Sequence, residues 1–372
     1  MKRKMLWEKH LLQIKLARRL KTSLSVVNSC IVLCCSCPTA EKQKAQVMKI
    51  CIVGAGAIGG MLAVRLSQSG AEVSVVARGA QLSAIQNNGL TLIEADGTSQ
   101  TRQIPASSNI RDFAAQDAIL LAVKAHQLSP ACSGVMHSLS KDGVVITAQN
   151  GIPFWYFAGQ DGPYANRRLL SVDPDGSIAA QLPVDRIIGS VVYPAAEIIA
   201  PGVIKHIEGL RFSLGELDGT NSERAARISS LFRTAGFKSP IVKDIRSEIW
   251  TKLWGNLAFN PISALTRADL AAICADEGTH NLAAMMMREA QAIAEKLGIE
   301  FKIPLEKRLA GAAEVGAHKT SMLQDLEGGR ALETESLIGA VAELGTLVDV
   351  PSPAITAVLA CLRLLAKTTL PA

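Results

Sequence analysis

No uninterrupted apolar run in the chain reaches the roughly 20 residues that a membrane-spanning helix needs. The nearest candidate, "SLSVVNSCIVLCCSC" at residues 23–37, is shorter, so no membrane role is expected. Charge of one sign is also scarce once the first 44 residues are set aside. That segment holds ten Lys and Arg against two Glu, and the whole chain carries a net charge of only +6, so the remaining body is nearly neutral. Without a basic stripe in the folded part, a nucleic-acid-binding surface is excluded. Paired cysteines are missing too. Cys30, Cys34, Cys35 and Cys37 crowd the N-terminal run, and no second ligand pair follows them at finger-like spacing, so no metal is expected. Cys51, Cys132, Cys274 and Cys361 stand singly in apolar contexts, as buried thiols of a reducing, cytoplasmic compartment do. Charged residues make up 19% against 48% hydrophobic ones in 372 residues, which excludes disorder and fits about two globular domains.

Residues 1–47 look foreign to the rest of the chain. The basic stretch is too long for the start of a secretory signal, and no small-x-small cleavage site stands out. Because Met48 opens a strand directly, residues 1–47 read as an unstructured leader or as the product of a misassigned start.

From Met48 the sequence announces an α/β domain. "KICIVGAGAIGGMLAVRLSQSG" is a β-branched run, a glycine turn and a segment of helical period, and "AEVSVVAR" is the next strand. Gly54, Gly56 and Gly59 form G-x-G-x-x-G between strand and helix, the context in which that otherwise weak motif marks a dinucleotide site. The loop Gly54, Ala55, Gly56, Ala57, Ile58 and Gly59 is therefore expected to cradle a pyrophosphate on a helix N-terminus. NAD enzymes place an acid at the end of the second strand. Here Ala77 and Arg78 stand there instead, and a guanidinium can take a 2′-phosphate, so NADP(H) is the expected cofactor. Two further strands, "DAILLAVKAHQ" and "GVVITAQNGIP", deliver Lys124 and Asn150 to the carboxyl ends, where ligands bind in doubly wound sheets. His126 reads as a loop histidine rather than a catalytic one. Phe154, Trp155, Tyr156 and Phe157 read first as packing, with a pocket wall as the alternative. The runs "RIIGSVVYPAAEIIAPGVIKHIEG" and "RFSLGEL" read as further strands extending the sheet.

After about Asp244 the period becomes helical throughout, over 246–260, 267–275, 278–298, 305–315, 332–347 and 352–367. The expected architecture is a Rossmann-type doubly wound domain at 48–243 and an all-α domain at 244–372, with a cleft between them. In "WTKLWGNLAFNPISAL" an oily helix sets Lys252, Asn256 and Asn260 four residues apart. Such residues lie about 40° from one another, so the three project from one side. A lysine there can donate a proton, and amides on a helix supply rigid donors. The bland alternative, in which the amides cap local backbone and the lysine snorkels to solvent, would suffice for the lysine alone but not for three polar residues in line.

These motifs together resemble the ketopantoate reductase family from about Met48 to the C-terminus, through "GAGAIGG", "VKAHQ", "QNG", "EIWTKLWGNLAFNPISAL" and "TSMLQDLEGGRALETESLIGA". The resemblance implies NADPH-dependent reduction of a small-molecule 2-oxoacid, 2-dehydropantoate, to (R)-pantoate for pantothenate and coenzyme A synthesis. It implies Lys252 as general acid, with Asn256 and Asn260 lining the substrate site. Asn150 would serve on the substrate and nicotinamide side, Ser321 would bind the substrate carboxylate, and Glu333 would orient substrate and lysine. The chain departs from the family pattern at "LETES", where Glu335 rivals Glu333, and in the long stretch from Phe154 to about Gln181 beside the expected pocket. A reductase of another small 2-oxoacid therefore stays open, as does an NADP(H)-sensing regulator. A sensor has no need of the lysine, asparagine and glutamate set. A homodimer is the assembly to test.

Overall fold

The computed structural model describes residues 47–369. The leader expectation, apart from Val47, lies outside the described residues. The first strand, β1 (Lys49–Val53), pairs in parallel with β2 (Glu72–Val76) on one side and with β6 (Gln116–Leu121) on the other. The main sheet has seven strands in the order β11-β8-β7-β6-β1-β2-β5, adding β5 (Ala106–Ser107), β7 (Leu139–Thr147), β8 (Ile187–Val192) and β11 (Phe212–Gly215). Only β11 runs antiparallel to its neighbour. Parallel strands buried on both faces read as near-continuous apolar runs, and KICIV and EVSVV are that. Alternation then sorts the residues by face. Ile50 and Ile52 join one core, while Cys51 and Val53 join the other.

The Ile50 face is covered by α1 (Ala57–Gln68) and α3 (Glu223–Thr234), and by a second sheet of four strands in the order β4-β3-β10-β9. Its members are β3 (Leu90–Ile93), β4 (Ser99–Arg102), β9 (Ala195–Ala200) and β10 (Val203–Glu208). The run after Arg186 thus does not all extend the main sheet. β8 and β11 do, but β9 and β10 leave to pair with the β3–β4 hairpin, where Ile204 packs beside Leu90 and Leu92 over α1. The helix α2 (Gly79–Asn88) follows β2.

The Cys51 face packs against the turns after β7 and the helical half of the chain. Phe154, Trp155, Tyr156 and Phe157 are all buried in this core. Their loop is strapped down by Arg246, only 4% exposed, which donates to the carbonyls of Tyr156 at 2.6 Å, Leu217 at 2.7 Å and Ala158. Removing that guanidinium would orphan three buried acceptors, a loss of roughly 1–3 kcal/mol each.

Arg246 opens the central helix, α4 (Ile245–Thr266), whose start is capped by Asp244 accepting from the amides of Arg246 and Ser247 at 3.0 Å. Around it lie α5 (Leu270–Ala275), α6 (Glu277–Lys296), α7 (Leu305–Glu314), α8 (Ser321–Glu327), α9 (Ala340–Leu347) and α10 (Pro353–Thr369). The stripe read as ending at residue 260 continues through Pro261. An interior proline costs about 3 kcal/mol, and burying Ile262, Ser263 and Ala264 offsets it. The helix stops at Arg267, which takes a left-handed φ of 62°. The helix expected from residue 332 begins later and with a difference. Glu335–Gly339 form a π-helical turn that leads into α9.

Candidate active site

The parallel strands deliver their carboxyl ends to one edge, and a cleft of about 700 Å³ opens there, lined by Gly54, Ala55, Gly56, Arg78, Gln81 and His126 among others. Each glycine of the turn has its own physical reason. Gly54 holds φ +103°, and a Cβ on it would lie 2.7 Å from Val123. A Cβ on Gly59 would lie 1.9 Å from the Gly54 carbonyl, so only glycine lets α1 approach β1. A Cβ on Gly56 would meet nothing within 4 Å. Gly56 therefore keeps space that the protein itself does not fill, in front of the first turn of α1. Ala57, Ile58 and Gly59 form that turn, no side chain caps it, and its amides are free to meet an anion. Gln81 steadies the loop by donating to the Ala55 carbonyl at 2.7 Å. Arg78 is exposed at the end of β2, just before α2, and lines the cleft. These residues fit a dinucleotide: backbone donors, an open approach and a cation at the ribose end.

Lys124 turns elsewhere. Its ammonium pairs with Asp325 of α8 and lies 3.4 Å from the Ala331 carbonyl, so it bridges to the helical half rather than lining the cleft.

The second cluster is made of side chains. Lys252, on α4, donates to the Asn150 Oδ1 at 2.6 Å and to the Val192 carbonyl. The Asn150 amide donates in turn to the Glu333 Oε2 at 3.3 Å, and Glu333 accepts through Oε1 from the Ala125 amide at 3.2 Å. A lysine, an asparagine and a carboxylate thus form one hydrogen-bonded chain across residues 150, 252 and 333. Burial pulls the Lys252 pKa down to about 8, while the Glu333 charge opposes that shift by favouring the ammonium. The Tyr193 ring faces the ammonium at 5.9 Å.

Asn256, one turn beyond Lys252, lines the same small cavity as Lys252 and Asn150. Farther along that face, the Asn260 amide reaches the Ser321 hydroxyl at 3.5 Å. Ser321 starts α8 next to Thr320, whose hydroxyl caps the helix. The two rival glutamates separate cleanly. Glu335 turns outward to a bidentate pair with Arg363 at 2.6 and 2.8 Å, whereas Glu333 faces the lysine. His126, an exposed side chain, stands on the wall shared by the large cleft and a neighbouring cavity of about 330 Å³. Partial desolvation there lowers its pKa, with Glu333 pulling the other way.

One partner escaped the sequence reading. Glu248 stands four residues before Lys252 and accepts from Tyr193 at 3.0 Å, Ser213 at 2.6 Å and Arg211 at 2.7 Å. Burial alone would raise its pKa, but those hydrogen bonds outweigh it and hold the carboxylate below its usual range. The signal was available, because Glu248 continues the line of Lys252, Asn256 and Asn260.

The sequence matches the family described as "Ketopantoate reductase PanE/ApbA" over residues 50–219 and its C-terminal counterpart over residues 244–366. A 2-dehydropantoate 2-reductase of Mesorhizobium japonicum is 55% identical, covering 86% of this chain and 98% of that protein. A crystal structure from Ralstonia solanacearum superposes with a TM-score of 0.83 at 39% identity, covering 87% of this chain and 98% of its own. The fold extends to D-mandelate dehydrogenase, solved with NADH and anilino(oxo)acetate, at a TM-score of 0.74 and 21% identity, with 87% and 99% of the two chains covered.

Proposed function

The chain belongs to the ketopantoate reductase family, and from that premise we propose that it reduces 2-dehydropantoate to (R)-pantoate with NADPH. The observation that carries the reading is the chain of hydrogen bonds from Lys252 through Asn150 to Glu333, beside the open glycine turn. When bound, a reduced nicotinamide supplies hydride to the ketone carbon. The residues of the chain do the rest. As the carbonyl oxygen gains charge, Lys252 Nζ gives it a proton, so the C=O bond becomes a C–O–H group, and the lysine then recovers a proton from solvent. A donor with a pKa of about 8 is well matched to neutral pH, since efficient proton transfer wants a pKa near the working value. Asn150 holds the ammonium by accepting from it, and Glu333 keeps that amide turned and the lysine charged. Asn256 offers an amide to the substrate from the wall of the same cavity, with Asn260 and Ser321 as further hydrogen-bonding groups.

NADPH rather than NADH is supported by Arg78, which stands at the end of β2 where an acid would accept the ribose hydroxyls of NAD. The test is oxidation of NADPH and of NADH by the purified protein across a panel of 2-oxoacids. The reading expects 2-dehydropantoate to give the highest kcat/KM and NADPH to be preferred. Turnover of NADPH with none of the panel would end it and favour a cofactor sensor. A second reading, reduction of a different small 2-oxoacid, draws support from the stretch 171–178, which walls the 330 Å³ cavity against Glu333. The same panel separates the two. Light scattering on the same sample tests the expected homodimer.

A further inference from the structure

Among the described residues two guanidinium Nε atoms are enclosed without a hydrogen-bond partner, those of Arg65 and Arg308, and Arg65 is otherwise paired with Glu94. Arg246 bonds three carbonyls, and Arg224 forms a bidentate pair with Glu216 at 2.6 and 2.7 Å. Arg308, on α7, differs. Its Nε is enclosed and has no hydrogen-bond partner. Among the described residues the titratable group close enough to act on it is the Tyr193 phenol rather than any carboxylate, and burial lowers its pKa. Leaving a partly buried cation without a counter-ion costs stability, which is why such groups are normally paired.

The guanidinium has nevertheless been given a seat. A Cβ built on Gly255 would lie 2.7 Å from Arg308 Nη2 and 3.3 Å from its Cζ, so any other residue at 255 would push the group away. Gly255 needs no unusual φ, and a glycine inside a helix costs about 1 kcal/mol relative to alanine. The space it leaves for Arg308 is its structural use. Gly255 also sits three residues after Lys252 and one before Asn256, so the guanidinium lies against the turn of α4 that presents the proton donor. Tyr193, whose ring faces Lys252 at 5.9 Å, lies on the same side.

We propose that Arg308, seated over Gly255, is the countercharge that receives the carboxylate of the 2-oxoacid whose ketone lies at Lys252. This rests on the reading under Proposed function. In such a substrate the carboxylate is one bond from the ketone carbon, so its receptor must approach the same turn of the helix as the proton donor. A planar guanidinium with an unused fork suits it geometrically. The hydroxyl of Ser321 is a neutral donor and leaves the carboxylate charge uncompensated. Arg308 neutralises it and is itself relieved of an unpaired charge when substrate binds. Arg308 is thus a specificity residue selecting free 2-oxoacids over their neutral derivatives.

The test compares 2-dehydropantoate with its neutral methyl ester in the wild type, Arg308→Gln and Arg308→Lys. For Arg308→Gln, KM for the acid should rise about 10–100-fold, as expected for one charged contact. Its kcat should stay within a few-fold, its KM for the ester should be unchanged, and Arg308→Lys should recover part of the loss. Equal effects on acid and ester, or no effect on either, would overturn the proposal. NADPH binding by fluorescence, unchanged in both variants, controls for misfolding. Should the wild type reduce neither compound, the reading under Proposed function falls by itself. The role of Arg308 is then decided by oxamate binding to the NADP-loaded protein. Affinity lost in Arg308→Gln supports it, and equal affinities overturn it.

Discussion

Two regions meet at the carboxyl edge of the main sheet, and they are built by opposite means. The side proposed to hold the cofactor is made mainly of backbone: three glycines, the open first turn of α1 and a single exposed arginine, all within residues 54–78. The side proposed to be catalytic is made of side chains drawn from residues 150, 252 and 333 and held by hydrogen bonds between them. A backbone site is specified by what is absent, since any Cβ is an intrusion. A side-chain site is specified by what is present and by how its neighbours set protonation. The first should fail through shape, and the second through charge.

The largest expected effect tests the second half of that contrast. Lys252→Ala should lower kcat by about 10²–10⁴-fold, the usual worth of a general acid, with NADPH affinity near that of the wild type. A kcat within a few-fold of wild type in stopped-flow and steady-state assays would make the lysine structural.

Next come two substitutions of identical chemistry with different geometry. Gly59→Ala puts a Cβ 1.9 Å from a backbone oxygen and should lower the melting temperature as well as cofactor affinity. Gly56→Ala meets empty space in the protein, so its melting temperature should stay put. Its NADPH affinity should nevertheless fall by roughly 10–100-fold, in line with about 1–3 kcal/mol for overpacking at a contact. Calorimetry and fluorescence titration read the two quantities separately, and parallel losses in both variants would break the distinction.

Arg78→Ala should raise KM for NADPH about tenfold or somewhat more, the worth of one charge-assisted contact, with little change for NADH. Equal losses for both cofactors would remove Arg78 from the 2′-phosphate.

The smallest effect is a displacement rather than a loss. Lys252 is depressed to about 8, so the protonated donor predominates below that pH, and kcat/KM should decline as pH rises through it. Glu333 favours the ammonium, so Glu333→Gln should let the pKa fall further and move that alkaline limb to lower pH. A limb that stays in place, or moves upward, would show that Glu333 does not act on the lysine.

The contrast also explains how much of the molecule is legible in the chain alone. The glycine turn is local, so its strand, spacing and helix sit within one window. Lys252, Asn256 and Asn260 are visible because a helix turns sequence spacing into a line. Glu333 needs the family resemblance, since nothing nearby distinguishes it from Glu335 until Arg363 takes one of them. The second sheet is illegible for the same reason. β3 pairs with β10 more than a hundred residues away, and neither run says which sheet it will join. Arg308 and Gly255 belong together only in three dimensions, as an isolated arginine and a poor helix residue become a pair only when α7 packs on α4.

The π-helical turn at Glu335–Gly339 has a consequence for how this stretch can change length. Five residues are wound where four would close a regular turn, and the Ser336 carbonyl accepts from the Ile152 amide at 2.8 Å. Gly151 can lie there only because it has no side chain, since a Cβ would come within 2.2 Å of that carbonyl. Deleting one residue of the turn would restore ordinary winding, but each residue of a helix accounts for about 100° of rotation. Glu333 would swing by that angle relative to the buried face of α9 and leave Asn150 without its acceptor. Along this lineage, then, insertions and deletions should be tolerated in the loops after β7 far more readily than in these five residues, whose number matters more than their identity.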